Sequence, residues 1–334
     1  MTGRLLADLV HIRGRFHRSV ALSRDWDAGA DLSEYLVTPT ARQLSERIVS
    51  ELLRQDGTRA WTITGPYGSG KSAFALFLAD LLCRRKPQHA VGQTIRKDCG
   101  LGQKHCLPIL LTARRGALAP ALLTNIVSAF AGVDEAVAKR ARRMVKTGSI
   151  EGEKLAEFLV DAAMRARANH RGGLVVILDE LGKFLEHAAD RSTDEDVYVL
   201  QQLAEAAARS DAPILLLGIL HTGFADYLPV GDEFRRTEWQ KVQGRFHDVP
   251  FQLPAEQMLA LVGHAIQTED VPVATRKRWN QVTNRVARSD ALREAAKRVP
   301  LKDLTSRCYP IHPLAALLLG RVMPTSTPAY RCSG

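Results

Sequence analysis

The chain has 334 residues, 46% of them hydrophobic, which is enough to bury a large core and to hold more than one domain. Its formal net charge of +10 at pH 7 indicates an anionic partner. No apolar run is long enough for a membrane helix, and the N-terminus lacks the apolar segment of a signal peptide, so we expect a cytoplasmic protein without membrane contact.

The first part of the chain predicts a short strand, a loop and then a helix. Ser19 to Leu22 is the strand candidate, and the acidic stretch from Asp25 to Asp31 predicts the loop. The helix begins with Thr38 as its N-cap and Pro39 in its first turn, and it ends near Asp56-Gly57. Its apolar face is formed by Leu44, Ile48, Val49, Leu52 and Leu53.

A glycine-rich segment, GPYGSGKS from Gly65 to Ser72, matches the P-loop pattern GxxxxGK[ST]. A predicted strand, Trp61 to Thr64, precedes it, and a predicted helix, Ala73 to Leu82, follows it. Glycines let the backbone N–H groups wrap a triphosphate, while Lys71 reaches the β- and γ-phosphates and Ser72 ligates Mg²⁺. The residues expected to bind ATP are Gly65, Pro66, Tyr67, Gly68, Ser69, Gly70, Lys71, Ser72 and Ala73.

The chain after the P-loop helix predicts a basic loop, a strand and a group of helices. The loop runs from Arg84 to Lys104, and the apolar segment LPILLT, Leu107 to Thr112, predicts a buried parallel strand. Helices that should cover the sheet are predicted over Ala117 to Ala131, Asp134 to Val145 and Gly152 to Asn169.

Basic residues concentrate in separate parts of the chain. The clusters are Arg84 to Arg115, Lys139 to Lys146 (KRARRMVK) and Arg276 to Lys302. They fit the backbone of DNA or RNA, but a solvated, arginine-rich surface explains them equally well, and no interleaved aromatic residues predict base stacking. Both interpretations stay open at this point.

The cysteines form no CxxC pair, and their spacing fits reduced thiols rather than disulfides. Cys99, His105 and Cys106 lie close together in the sequence, as metal ligands do. The fourth ligand and the usual spacing are missing, so we expect ordinary buried or surface residues there.

A second motif begins at Leu174 with the apolar run LVVIL and ends in the acidic pair Asp179 and Glu180. The carboxyl end of a buried parallel strand is the edge at which open α/β sheets bind ligands. Asp179 would hold Mg²⁺ together with Ser72, and Glu180 would accept a proton from the attacking water or orient it. The alternative is an acidic start of the helix predicted from Glu180 to Ala189.

The next elements complete a pattern that resembles AAA+ and origin-recognition-type ATPases. A helix is predicted over Glu195 to Arg209, and strands over Ile214 to Ile219 and Val249 to Phe251. The helix that runs straight into the P-loop strand resembles the N-terminal linker of those ATPases, which lines the adenine pocket. The resemblance implies ATP as the nucleotide, and no [NT]KxD guanine-reading motif occurs.

Two further sites are implied by this resemblance. The strand end at His221 and Thr222 resembles sensor 1, so Thr222 or His221 would read the γ-phosphate or the water, although a polar strand end is common in any fold. The segment EWQKVQGRFHDVPFQLP resembles the second region of homology, in which an arginine projects into the neighbouring subunit's site. Arg245 matches that arginine and implies a homo-oligomer; Arg235 and Arg236 are alternatives, and a helix-end salt bridge is the plainer interpretation.

Beyond Ala255 the pattern is helical and polar and predicts a small lid domain. The expected helices are Ala255 to Gln267, Arg276 to Val286, Asp290 to Arg298 and Leu314 to Leu319. The element YPIHP, together with GPYGSGKSAFAL and ILDELGKFLE, resembles large ATPases of bacterial phage-exclusion gene clusters of the BREX type. That resemblance implies a role in phage defence beside other subunits of a defence complex.

The stretch MPTSTPAYRCSG at the end of the chain has neither helical nor strand periodicity. Read in another frame, one choice of codons resembles the continuation of the BREX-type ATPases, which are much longer. We therefore hypothesise a frameshift near Arg321 to Met323 and a truncated chain. An ordinary disordered tail is the alternative.

These observations predict an α/β fold, a P-loop NTPase parallel sheet flanked by helices, with a C-terminal helical lid. The expected division is an N-terminal segment and linker helix (1–57), an ATPase core (58–254), the lid (255–322) and an irregular tail (323–334). The predicted function is Mg²⁺-dependent ATP binding and hydrolysis in a motor or switch, with Lys71, Glu180, Thr222 and Arg245 as catalytic residues. The alternatives are a nucleic-acid-binding module that binds ATP without hydrolysing it, and a P-loop kinase.

Overall fold

A computed structural model describes residues 5–16, 18–147, 150–191, 195–229, 231–289 and 301–322. The helix expected from Asp290 to Arg298, the irregular tail and the end of the frameshift segment at Met323 lie outside these residues. Contacts divide the chain into two compact units, one of Val20–Phe251 and the other of Met1–Ser19 with Gln252–Gly334. Residues 20–57 therefore group with the sheet, whereas the division expected from the sequence set them apart from it.

Most strands and helices follow one another in the order that the sequence periodicity led us to expect. Besides the differences given below, Val10–Ile12, Ile266–Thr268 and Leu301–Ser306 were not predicted, and Ile266 and Gln267 were expected to end a helix. The strands are β1 (Val10–Ile12), β2 (Ala60–Thr64), β3 (Leu107–Thr112), β4 (Leu174–Asp179), β5 (Ile214–Leu220), β6 (His247–Pro250) and β7 (Ile266–Thr268). The helices are α1 (Leu22–Asp27), α2 (Pro39–Leu53), α3 (Lys71–Cys83), α4 (Ala90–Asp98), α5 (Leu118–Phe130), α6 (Glu135–Thr147), α7 (Gly152–Ala168), α8 (Gly182–Arg191), α9 (Glu195–Arg209), α10 (Glu233–Gln243), α11 (Ala255–Ala265), α12 (Val273–Ala287), α13 (Leu301–Ser306) and α14 (Pro313–Val322).

The larger unit is built on a five-stranded parallel sheet with the order β3-β4-β5-β2-β6. Strand β5 lies between the P-loop strand β2 and the acidic strand β4; its Leu216 is opposite Ala60 on one side and Val176 on the other. This confirms the predicted α/β sheet with an additional strand. Because all its strands run the same way, the carboxyl ends of β2, β4 and β5 meet at one edge.

Apolar composition explains why the centre of this sheet is buried. Every residue of β4 and β5 is buried, as expected of parallel strands that are covered on both faces. Helix α5 packs against β3, α9 against β5, and α3 against β4. Helix α3 is apolar all round and is almost fully buried, which holds its first turn firmly beside the sheet edge.

The prediction for the start of the chain is wrong at one place. Ser19 to Leu22 was expected to be a strand, but Leu22 is buried and begins α1. The Asp25 carboxylate accepts the backbone N–H of Ala21 at 3.0 Å, which satisfies a donor that a helix start leaves free. The first residues of the predicted loop, up to Asp27, therefore belong to α1, and the loop begins only after it.

Helix α2 begins as predicted and ends earlier. The Thr38 hydroxyl accepts the N–H of Ala41 at 3.2 Å, so Thr38 is the N-cap. The helix ends at Leu53, which is exposed and does not belong to the buried face. A side chain at Gly57 would meet the carbonyl oxygen of Glu51, so glycine is needed where the chain turns back toward β2.

The basic loop predicted between α3 and β3 is wrong over residues 90–98, which form α4. The buried Arg96 side chain organises this segment because it donates hydrogen bonds to main-chain carbonyls before and after α4. Its acceptors are Leu81, Arg84, Gly102 and Lys104. One cation of the first basic cluster is therefore a structural residue and is closed to an external anion.

The smaller unit pairs the N-terminal strand with the C-terminal helices. Strand β1 is antiparallel to β7, with Val10 opposite Thr268. Helices α11, α13 and α14 pack around a small apolar cluster that contains Leu259, Cys308 and Ala316. Within the described ranges, no helix combines the length and the apolar character that crossing a membrane requires.

Candidate active site

The P-loop occupies the turn between β2 and α3, and its glycines are needed for the path of the backbone. Gly68 and Gly70 have φ angles of +75° and +89°, in the left-handed region that favours glycine. A Cβ atom on Gly65 would lie 2.8 Å from the carbonyl oxygen of Phe251. The loop thus curls tightly over the start of α3, with its N–H groups near the positive end of that helix.

The Lys71 side chain lies inside the curl of the loop and is only 5% exposed. Its Nζ donates to the carbonyl oxygens of Gly65 (2.6 Å) and Pro66 (2.8 Å) and lies 3.4 Å from Ser69 Oγ. Burial lowers the pKa of Lys71 to about 8, against the opposing effect of nearby carboxylates. At neutral pH the ammonium group is still mostly charged, and it can exchange carbonyl oxygens for phosphate oxygens.

Ser72 and Asp179 meet at the edge of the sheet. Ser72 Oγ donates to Asp179 Oδ1 at 3.1 Å, although 107 positions separate them. Asp179 is 3% exposed, and burial raises the pKa of its carboxyl group, while the hydrogen bond from Ser72 opposes that rise. Among the described residues, Asp179 has no lysine, arginine or histidine at ion-pair distance. A buried carboxylate beside a hydroxyl is an oxygen pair of the kind that Mg²⁺ prefers.

Glu180 follows Asp179 in an unusual backbone conformation. Its φ angle is +58°, which is uncommon for a residue with a side chain, and such strained residues cluster at functional sites. Its Oε2 lies 3.6 Å from Nε2 of His221. The nearby imidazole of His221 lowers the pKa of Glu180, helped by Lys183 and Lys71, so the side chain is a carboxylate at neutral pH.

His221 lies between the two charged groups of the site. Its Nδ1 is 3.4 Å from Lys71 Nζ, and its other ring nitrogen faces Glu180. The ring stacks on Tyr67 of the P-loop, with ring centroids 3.4 Å apart and an angle of 25° between the planes. With a proton on Nε2, the ring turns an N–H toward the carboxylate and leaves Nδ1 to accept from the ammonium.

Thr222 lies next to His221 in sequence but engages a different partner. Its hydroxyl donates to the carboxylate of Asp226, in the short turn that follows β5. Sequence reasoning named Thr222 first and His221 as the alternative, since a strand end alone does not tell neighbouring polar residues apart. The role of either residue stays a prediction, but only His221 contacts Lys71 and Glu180 among the described residues.

The candidate arginines lie at the two ends of α10. Arg245 is 54% exposed and its Nε lies 3.5 Å from Glu205 Oε1. Arg235 is 15% exposed, pairs with Asp232 at 3.4 Å and donates to the Ala188 carbonyl. Arg236 donates to the carbonyl of Leu228 at 3.4 Å. Arg235 and Arg236 are partly buried, whereas Arg245 is exposed and can reach a neighbouring molecule.

The cysteine and histidine group considered as a metal site has separate partners in the fold. Cys106 is buried, and burial raises the pKa of its thiol to about 12, while His105 accepts from Arg171 at 2.6 Å. Cys99 lies near the carbonyl oxygen of Glu46. Within the described part of the chain, no histidine, cysteine, aspartate and glutamate cluster could hold a metal ion in the manner of a zinc site.

Comparison with known proteins gives a distant structural likeness. No protein family model matches the chain, and no curated protein matches it. Among solved structures, it is similar to the ORC2 protein of Aeropyrum pernix, determined as ADPNP–ADP complexes, at 16% sequence identity and a TM-score of 0.45. The alignment covers 74% of this chain and 56% of that one, so this chain spans little more than half the length of that protein.

Proposed function

We propose that the protein binds ATP together with Mg²⁺ and hydrolyses it. The observation that carries the proposal is the 3.1 Å hydrogen bond between Ser72 and Asp179, which joins the P-loop and the acidic pair in one site. Lys71 lies in the same curl of backbone, and Glu180 carries an ionised carboxylate beside it. Phosphoryl transfer from a nucleotide requires four groups that meet here: the start of a helix, a cation, a pair of oxygen ligands and a carboxylate.

Each group of residues at the site has a separate proposed role. The N–H groups of residues 65 to 72 would bind the phosphates, and Lys71 would release its carbonyl partners in favour of the β- and γ-phosphate oxygens. Ser72 and Asp179 would hold Mg²⁺, which supplies charge neutralisation between the phosphates when bound. Glu180 would orient the attacking water and accept its proton. Water, rather than the hydroxyl group of a kinase substrate, is the proposed acceptor of the phosphoryl group.

His221 is proposed as the group that positions Glu180, and a matched pair of variants tests this. We expect His221→Ala to lower phosphate release at saturating ATP by about tenfold or more, because the Glu180 carboxylate loses its neighbour. Thr222→Val should change the rate by less than about twofold, since its hydroxyl binds Asp226. Steady-state phosphate release would be measured with Mg²⁺ and with excess chelator, alongside ATP affinity.

The outcomes of that experiment distinguish a failure of the proposed ATPase from a failure of the role proposed for His221. Chelator-insensitive release, or no release by the wild-type protein, contradicts the proposed ATPase itself. Wild-type turnover in His221→Ala together with a large loss in Thr222→Val would instead assign the positioning role to Thr222.

Assembly into a homo-oligomer is proposed from Arg245. We expect Arg245→Ala to lower the rate per subunit by about 10³-fold only at protein concentrations at which light scattering detects oligomers, because the guanidinium would act on a neighbour's phosphate. Lys241→Ala is the control, because it removes an exposed cation of α10 that pairs with Glu238. A wild-type protein that is fully active as a monomer would rule out the arginine in trans.

The cellular role proposed for this ATPase is a motor or switch that acts on nucleic acid. Its basis is the net charge of +10 and the exposed basic residues of the larger unit. A place in phage defence, with other subunits of a defence complex, rests on the resemblance of YPIHP, GPYGSGKSAFAL and ILDELGKFLE to BREX-type ATPases. The test is to delete the gene in its own organism and to count phage plaques. A role in phage defence predicts more plaques after the deletion.

A further inference from the structure

Helix α6 has one apolar face and one strongly basic face. Its buried residues, Val137, Ala138 and Ala141, face α5, against which the helix packs. At 100° per residue, Lys139, Arg143 and Lys146 fall on the opposite side of the helix and are exposed. We call these three residues the α6 stripe. The stripe points away from the core and into solvent.

The cations that flank the stripe are paired, whereas those of the stripe are not. Arg140 forms an ion pair with Asp161 at 3.0 Å, and Arg142 forms one with Glu135 at 2.8 Å. Within the described ranges, no acidic side chain lies at ion-pair distance from Lys139, Arg143 or Lys146. The fold therefore neutralises the edges of this face and leaves its centre positively charged.

The stripe carries an internal repulsion that packing does not require. Lys139 and Arg143 are four residues apart, and Arg143 and Lys146 are three apart, so like charges lie next to each other on the helix surface. Such pairs destabilise a helix, and exposed polar residues without charge would serve packing on α5 equally well. An anion bound along the stripe would relieve the repulsion between these cations and be attracted by all three.

The surroundings of the stripe favour a nucleic-acid duplex over other polyanions. The apolar face of α6 is already covered, so no apolar residues are left to insert into a lipid surface. From α5 to α7 the described residues expose no aromatic side chain on which single-stranded bases could stack. The stripe runs about 10 Å along the helix axis, a linear array of cations that suits successive phosphates.

We propose that the α6 stripe binds the phosphate backbone of double-stranded DNA, without regard to sequence. The inference names the surface for the nucleic-acid partner proposed above, and it does not depend on ATP hydrolysis. Lys139, Arg143 and Lys146 contact phosphate oxygens, which positions the protein on the duplex and carries no base readout.

The test compares two variants of the full chain with equal loss of charge. In one, Lys139, Arg143 and Lys146 are replaced by glutamine; in the other, the exposed residues Arg85, Lys86 and Lys97 are replaced. Anisotropy of a labelled duplex is followed across a sodium chloride series. Each phosphate contact contributes about 0.9 to the slope of log affinity against log salt, so the stripe variant should lose about 2.7 of that slope. The control variant should keep the wild-type slope.

Several results would overturn the proposal. Wild-type protein that does not bind the duplex, a stripe variant with the wild-type slope, or an equal loss in the control variant each removes the stripe as the site. Equal binding of poly-glutamate or of phosphatidylserine vesicles identifies a general polyanion surface instead. Phosphate release without DNA should be the same in both variants, so a loss of DNA binding can be told apart from a loss of ATP hydrolysis. Melting followed by circular dichroism checks that both variants fold.

Discussion

The Glu180→Gln variant is expected to bind ATP as the wild-type protein does and to release phosphate at least about 100-fold more slowly. Glutamine has the size of glutamate and tolerates the same positive φ angle about equally, so the backbone at +58° should not change. The substitution removes the carboxylate, whose pKa is lowered by the nearby His221 and which is ionised at neutral pH. The change therefore removes the proton acceptor and leaves the phosphate-binding groups in place.

The measurements are phosphate release at saturating ATP and the dissociation constant of a fluorescent ATP analogue. Glu186→Gln is the matched control, because Glu186 lies on α8 close to the site and pairs with Lys183 at 3.3 Å. Wild-type turnover in Glu180→Gln would falsify the assignment of Glu180 as the base. If neither the wild type nor the variant turns ATP over, while both bind it, the non-hydrolysing module is the better description.

The two halves of the candidate site could be proposed from the sequence because each depends on local chemistry. Gly65 is needed where the loop passes close to the backbone of Phe251, and Asp179 ends a short apolar, β-branched run that is typical of a buried strand. Parallel strands bring their carboxyl ends together, so the meeting of Ser72 with Asp179 followed from the fold class. These parts of the site could be predicted without coordinates.

Other parts depend on contacts between distant segments and have no local signal. His221 and Thr222 are neighbours on a strand end, and only the packing of Tyr67 and the turn after β5 gives them different partners. Helix α4 is similar: Arg96 satisfies carbonyls on both sides of it, which a count of basic residues cannot reveal. The positive φ angle of Glu180 is likewise imposed by tertiary structure, since glutamate has no intrinsic preference for it.

The Lys71→Ala variant is expected to lose nucleotide binding. Hydrogen bonds to charged groups are worth about 1.5–3 kcal/mol each, so losing those to the β- and γ-phosphates should weaken ATP binding by at least roughly 100-fold. The unliganded fold should persist in the variant. Burial lowers the pKa of Lys71 to about 8, so the buried ammonium group is disfavoured in the fold and its removal should not unfold the protein. The measurement is the rise in melting temperature on adding ATP with Mg²⁺, which binding linkage predicts for the wild type and not for the variant.

Lys183→Ala is the control that separates a specific contact from general charge. Lys183 lies on α8, pairs with Glu186 and is close enough to Glu180 to help lower the pKa of that carboxyl, yet it is outside the curl of the P-loop. It should keep nearly all of the ATP-induced stabilisation. Equal losses of ATP-induced stabilisation in the two variants would mean that ATP binding depends on the total positive charge at this edge of the sheet. Loss in Lys71→Ala alone would mean that it requires an ammonium group between Gly65, Pro66 and His221, where the fold holds one.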